Sequence, residues 1–234
     1  MLGRDHALSG GLAFAAVAPL LHVTVPALAA GVVLTAGAGV LPDIDEPGST
    51  IARQGGFLTE ALSWVVHRIS GGHRKLTHSV IGVGIFTAAT WTAVAFDASI
   101  YAQVALGLFL ALLLAAALHA LRIGGHHGAA LALIAAAAAV HWHAGLSFVP
   151  LCIALGATAH IAGDELTHSG CPLAYPLSDR EFHLLPKPLR FTTGKFTEHV
   201  IVSTLLLAAL GFLLWRDAGA MTLATHARTA IGAP

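Results

Sequence analysis

ASIYAQVALGLFLALLLAAALHAL, residues 98–121, runs for 24 residues without an acidic or basic side chain. An α-helix rises 1.5 Å per residue, so about 20 apolar residues cross the roughly 30 Å hydrocarbon layer of a bilayer. Four further runs have the same character: 7–42, 76–96, 123–163 and 199–215. Together the five occupy 139 of the 234 residues, which confines all 24 Asp, Glu, Lys and Arg to the other 95. Charged residues make up 10% of the chain and mean hydropathy is +0.77. A soluble domain carries about 25% charge, so a soluble enzyme is excluded. The expected fold class is all-α, a multi-pass transmembrane helix bundle, because in lipid each backbone N–H must find its partner within its own helix.

Outward from that span, the polypeptide divides at its breakers. The run 7–42 is too long for one crossing and is punctuated by Pro19, His22 and Pro26, which predicts a hairpin of helices over 7–21 and 27–41. Arg4, the apolar core and Ala27-Leu28-Ala29 also imitate a signal peptide, but Asp5 spoils the basic start and the apolar run resumes after the cut. Phe57, Leu58, Ala61, Leu62, Val65, Val66 and Ile69 follow helical spacing, predicting an amphipathic helix over 58–69 at the membrane surface. Residues 79–96 and 100–121 are spans. The run 123–163 breaks at Gly124-Gly125 and near Gly145 into helices over 129–140 and 148–163. A last helix covers 200–215. The expectation is about six or seven membrane helices plus one interfacial helix, forming one domain over 1–216 with a polar tail over 217–234.

Two helices separate His6 from Asp43 and four separate Lys75 from Asp164, so even counts put both polar segments, 43–75 and 164–198, on one side. Arg53, Arg68, Arg74, Lys75, Arg180, Lys187, Arg190 and Lys195 lie in those segments, which the positive-inside rule assigns to the cytoplasm. The helix over 129–140 is short for a crossing, and a shared site requires that it return the chain.

Fifteen histidines stand out, because His is costly in hydrocarbon unless paired, hydrated or metal-bound. Three clusters gather at helix ends on the inferred cytoplasmic side. Leu41-Pro42-Asp43-Ile44-Asp45 places two carboxylates where a helix closes, which is the wrong sign for a helix carboxyl end and calls for a compensating cation. In Gly72-His73-Arg74-Lys75-Leu76-Thr77-His78-Ser79 the two imidazoles converge if His73 lies in the loop and His78 in the first helical turn, with Thr77 as the cap. His160 and Asp164 are i, i+4 on one helical face, and His168 extends that stripe. With His6, the candidate ligands are His6, Asp43, Asp45, His73, His78, His160 and Asp164. A nitrogen and oxygen set of this kind suits Zn²⁺, Mn²⁺ or Fe, as one or two ions. The pairs His126-His127 and His141-x-His143 read as the ends of the short helix, and His67 as water-facing. Cys152 and Cys171 show no ligand spacing.

Leu-Pro-Asp-Ile-Asp-x-Pro (41–47), Gly-His-Arg-x-x-Thr-His-Ser (72–79) and His-Ile-x-x-Asp-x-Leu-Thr-x-x-Gly-x-Pro-Leu-x-x-Pro (160–176), in this order, resemble the LexA-regulated, inner-membrane metal-dependent hydrolase family. The resemblance implies a multi-pass bacterial inner-membrane protein with a hydrolase site, and it also marks His6 and Glu198. Lys75 replaces the more usual Gly, and His168 stands where the family can have Pro. A more distant likeness, in His-x-x-x-Asp and scattered helical His and Asp, is to zinc phospholipase C and P1-type nucleases.

The function expected is hydrolysis of a phosphate ester or lipid-like substrate at the cytoplasmic membrane face. A bound metal would activate water, Asp45 or Glu198 would orient it or act as general base, and Arg74 would hold an anionic oxygen. The rival is a non-catalytic membrane metal-binding or transport protein, and a third reading is a scaffold whose polar clusters satisfy each other. Zero net charge gives nucleic acid no bulk electrostatic attraction. The partners expected are the bilayer and a small or lipid-like ester.

Overall fold

The computed structural model describes residues 1–96, 99–143 and 145–230, with side chains at all of these except 126 and 220–230. Among the described residues eight α-helices follow in order: α1 Gly3–Leu21, α2 Val25–Ala38, α3 Phe57–Ser70, α4 Val80–Ala95, α5 Ile100–Ala120, α6 Gly128–His141, α7 Val149–Glu165 and α8 Ser203–Ala230. Outside the helices, the β pairing among the described residues is two isolated bridges, Thr167 with Phe191 and Cys171 with Phe182. The protein is a helical membrane bundle. The stretches Val25–Asp45, Ile100–Ala120, Leu146–Glu165 and Thr197–Gly219 are long and apolar enough to cross a membrane, and α4 and α6 are shorter apolar helices.

Small residues set the packing of α1, α2 and α7. A Cβ on Gly10 would run into the Thr35 carbonyl, and one on Gly39 into the His6 carbonyl, so α1 and α2 lie antiparallel in close contact. At Gly156 a Cβ would stand 2.5 Å from Ala38 Cβ and 2.7 Å from the Thr35 carbonyl oxygen. With Cys152 near Gly31 and His160 on Gly39, α7 runs parallel to α2, and both point their carboxyl ends the same way. Such approach is what small residues permit between helices in lipid. Phe14, Ala15 and Ala18 of α1 are buried, so the stretch that imitates a signal peptide is an integral layer of the core.

Gly107 lies near Val140 and Gly128 near Leu118, so α6 runs back along α5, and α7 then returns to the end from which α4 departs. The short helix therefore carries the chain back along α5. The amino end of α1, the carboxyl ends of α2 and α7 and the amino end of α4 meet at one end of the bundle.

Local chemistry explains most boundaries. Thr24 caps α2 by accepting from Ala27 N, and Ser79 caps α4 by accepting from Gly82 N. Ser79, not Thr77, is thus the cap, which frees Thr77 for the site. Gly71, at φ 85°, ends α3 in the left-handed conformation. α3 turns the buried Ser63 and Ser70 toward the protein while Leu58, Leu62, Val65 and Ile69 are exposed, as an interfacial helix with its apolar stripe toward lipid requires.

Three expectations need correction. α7 ends at Glu165, and Thr167 turns back to bond the Asp164 carbonyl through both N and Oγ1, so His168 does not continue the helical stripe. His67 does not simply face water: its Nδ1 contacts the Asp45 carbonyl at 2.7 Å. The last helix does not stop near 215; α8 continues through 230, where a tail from 217 was expected. The tail residues 231–234 and the His126 side chain fall outside the described residues.

Candidate metal centre

Pro42 closes α2 and starts a 3₁₀ turn, Pro42–Asp45. A second 3₁₀ turn, Leu76–His78, precedes α4. These turns aim Asp43 and His78 at the last two turns of α7, where His160 and Asp164 share a face. His78 and His160 are fully buried, Asp164 nearly so, and Asp43 partly.

His160 Nε2 lies 3.1 Å from His78 Nε2. Asp43 Oδ1 is 3.4 Å from His78 Nε2 and 3.5 Å from His160 Nε2. Asp164 Oδ2 is 3.8 and 3.7 Å from the same two nitrogens. Four ligand atoms about 2.0–2.2 Å from one ion at tetrahedral angles stand about 3.3–3.6 Å from each other. The observed separations bracket that value, so two nitrogens and two carboxylate oxygens are spaced as a small cation would need them.

The other ring nitrogens support the same assignment. His160 Nδ1 contacts the Gly39 carbonyl at 2.7 Å; a carbonyl only accepts, so Nδ1 carries the hydrogen and Nε2 presents its lone pair inward. His78 Nδ1 faces Thr77 Oγ1 at 3.0 Å and Asp45 Oδ2 at 3.4 Å, and Thr77 Oγ1 in turn donates to Asp45 Oδ2. An outer carboxylate or carbonyl behind each ligating imidazole is the usual support of a metal site. Burial by itself would depress the His78 imidazole, but hydrogen bonds to Asp43 and Asp45 and the charge of both carboxylates outweigh it and raise it to about 9. In the metal-free protein a proton on His78 supplies the positive charge the cluster needs.

Asp45 stands behind the ligands. Its Oδ1 contacts His73 Nδ1 at 2.8 Å, and Oδ2 accepts from Thr77 and from Arg74 N at 3.2 Å. Asp164 Oδ1 is held by Arg74 Nη2 at 2.9 Å, by the Met1 ammonium and by His6 Nε2 at 3.3 Å. His6 stacks on His160 with ring centroids 3.6 Å apart. The seven sequence candidates thus come together as two adjoining groups, Asp43, Asp45, His73 and His78, and His6, His160 and Asp164, the ligand-type atoms within each lying within 4.8 Å of one another. The atoms of His78, His160, Asp43 and Asp164 that face each other lie where the two groups meet, with His6, Asp45 and His73 beside them. Acidic groups at the carboxyl ends of α2 and α7 are electrostatically unfavourable, and a cation held here would compensate both.

Glu198 is fully buried, but its oxygens accept from Leu2 N at 2.5 Å and Gly194 N at 2.6 Å, so it clamps the start of α1 to the turn before α8. Arg74 adopts φ 60°, which swings its guanidinium inward, and its Nη1 is buried without a partner. The sequence reading missed Thr77 as a link, the Gly39 carbonyl and the buried Cys171, whose Sγ is 4.0 Å from Asp164 Oδ2. Burial and the negative Asp164 push the Cys171 thiol up, keeping it protonated. The spacing from Asp164 to Cys171, seven residues across a helix end, carries no recognisable ligand signal.

A family model described as YdjM inner membrane protein matches residues 1–122 and 122–231. No curated protein and no solved structure matches the chain, and the expected likeness to zinc phospholipase C and P1-type nucleases is not shown.

Proposed function

The chain belongs to the YdjM inner membrane protein family, and on that footing we propose that it is a metal-dependent hydrolase of phosphate esters, working at the cytoplasmic membrane face. The observation that carries this reading is the convergence of His78 Nε2, His160 Nε2, Asp43 Oδ1 and Asp164 Oδ2 beside a buried guanidinium nitrogen without a partner. These four residues would hold the metal. Zn²⁺ fits the imidazole and carboxylate donors best, with Mn²⁺ or Fe as alternatives, and it would supply Lewis acidity toward water and a phosphoryl oxygen.

Around it the protein's own residues have distinct tasks. Arg74 ties its Nη2 to Asp164 and offers Nη1 to an anionic substrate oxygen. Asp45 fixes the tautomer of His78 and, through Oδ1, holds His73 by its Nδ1. His73 is one-third exposed, so its Nε2 is the group placed to take a proton from an attacking water, with Asp45 steadying the imidazolium. Glu198, spent on two backbone N–H groups, positions the amino end of α1 and does not serve as the base. Both polar segments, with their eight Arg and Lys, join helix ends at the site end of the bundle, which the positive-inside rule orients toward the cytoplasm.

The test is metal analysis of the purified full chain followed by phosphatase and phosphodiesterase assays with Zn²⁺, Mn²⁺ or Fe²⁺ restored. Turnover that depends on metal and disappears in His160→Ala is expected. Stoichiometric metal with no turnover of any ester would instead make it a metal-binding or transport protein, although transport calls for ligands strung through the membrane depth.

A further inference from the structure

Between α3 and α4 lies a groove of about 190 Å³, lined by Val66 and Ile69 of α3, by Ile85 and Phe86 of α4, and by Leu76 and Thr77 of the turn before α4. Its lining is almost wholly apolar. Ile69 is 73% exposed and Ile85 50% exposed, so its rim opens on the flank that an interfacial helix and a membrane helix present to lipid. Thr77 belongs to both the groove and the candidate metal centre: this lining residue donates its hydroxyl to Asp45 and lies 3.0 Å from His78 Nδ1. Arg74, three residues earlier in the chain, bonds Asp164 through Nη2 and leaves Nη1 buried and unpartnered.

We propose that this groove seats the alkyl chain of a lipid phosphate whose head group reaches Arg74 and the metal centre. The proposal rests on the hydrolase reading for its chemistry and adds the substrate class: an anionic, single-chain lipid phosphate entering sideways from the membrane. An apolar slot that shares Thr77 with a site containing the Arg74 guanidinium complements such a molecule in both halves. For a lipid already in the bilayer the slot adds little hydrophobic free energy, because hydrocarbon surrounds the tail in either place. Its part is register: a tail lying between α3 and α4 sets the depth and direction of the head group. Selectivity then comes from the Arg74 guanidinium in the adjoining site.

The experiment uses the zinc-loaded full chain in nanodiscs and hexadecyl phosphate carrying a mid-chain diazirine, with the matching hexadecanol diazirine as control. Photolabelling is mapped by peptide mass spectrometry, and release of inorganic phosphate from hexadecyl phosphate is followed in parallel. The expected result is label concentrated on the segments holding 66–69 and 85–86, about tenfold stronger for the phosphate than for the alcohol, as one charge-assisted contact warrants. Ile85→Trp and Val66→Trp, at positions exposed or partly exposed to lipid, should each lower that label about tenfold while metal content stays unchanged. Equal labelling by both probes, or label spread over all lipid-facing helices, would overturn the groove assignment. Groove labelling without phosphate release would keep the binding site and defeat the hydrolase reading, whereas phosphate release with no label in the groove would do the reverse.

Discussion

Asp45→Asn separates a supporting carboxylate from a ligating one. In the structure the carboxylate meets four groups: His73 Nδ1 at 2.8 Å, Thr77 Oγ1 at 2.5 Å, Arg74 N at 3.2 Å and His78 Nδ1 at 3.4 Å. Asn keeps the shape but has one acceptor oxygen and an NH₂, so donors on one side face another donor. The negative charge that favours the Nδ1–H tautomer of His78 is also lost. Changes to such outer groups weaken metal binding by about 10–100-fold, or roughly 1.4–2.8 kcal/mol. Chelator-competition titration of Zn²⁺ against the purified full chain measures this directly, with His160→Ala as the reference for a lost ligand. Two results would refute the reasoning: affinity equal to the unmodified protein, or loss as complete as in His160→Ala, which would make Asp45 a ligand.

Four other outcomes are expected. His160→Ala and Asp164→Ala should each abolish stoichiometric metal in elemental analysis while circular dichroism keeps its helical signal; retained metal in both would refute the site. The pH response has a definite sign, because His78 is raised from its ordinary 6.5 to about 9. Its contribution to the metal-free fold is complete below about 6.5 and is lost as pH rises through about 9. Tm of the metal-free protein should therefore fall between those values, while Zn²⁺ affinity, no longer opposed by that proton, rises; the opposite slopes would contradict the assignment. Gly156→Leu should lower stability by about 1–3 kcal/mol or more through overpacking against Ala38 and Thr35, read as Tm in detergent. Arg74→Ala should leave metal content intact yet cut turnover of a phosphate ester about a hundredfold or more.

The bundle itself was plain from the sequence, because charge-free runs and Gly or Pro breaks are local signals. So were the three clusters, whose i, i+4 and loop-to-helix spacings act over a few residues. What could not be seen was the division of labour within them. Asp43 and Asp45 differ by two positions, and only the direction of the 3₁₀ turn decides that one faces inward and the other backs His73 and His78. Thr77 looked like a cap because caps are local, whereas its actual partner is 32 residues away in Asp45. Glu198 offered a carboxylate of the right type, but its use on Leu2 and Gly194 depends on how α1 meets α8. The end of α7 was misread at His168 because a helical stripe says nothing of the Thr167–Phe191 bridge that interrupts it.

His78, His160, Asp43 and Asp164 are proposed to hold one metal ion together, and X-ray absorption spectroscopy of the zinc-loaded full chain decides whether they do. One Zn²⁺ per chain should show a shell of nitrogen and oxygen only at about 2.0–2.2 Å, with the outer scattering of two imidazoles. A sulfur neighbour at about 2.3 Å, which would bring Cys171 into the shell, or the outer scattering of fewer than two imidazoles, would contradict it.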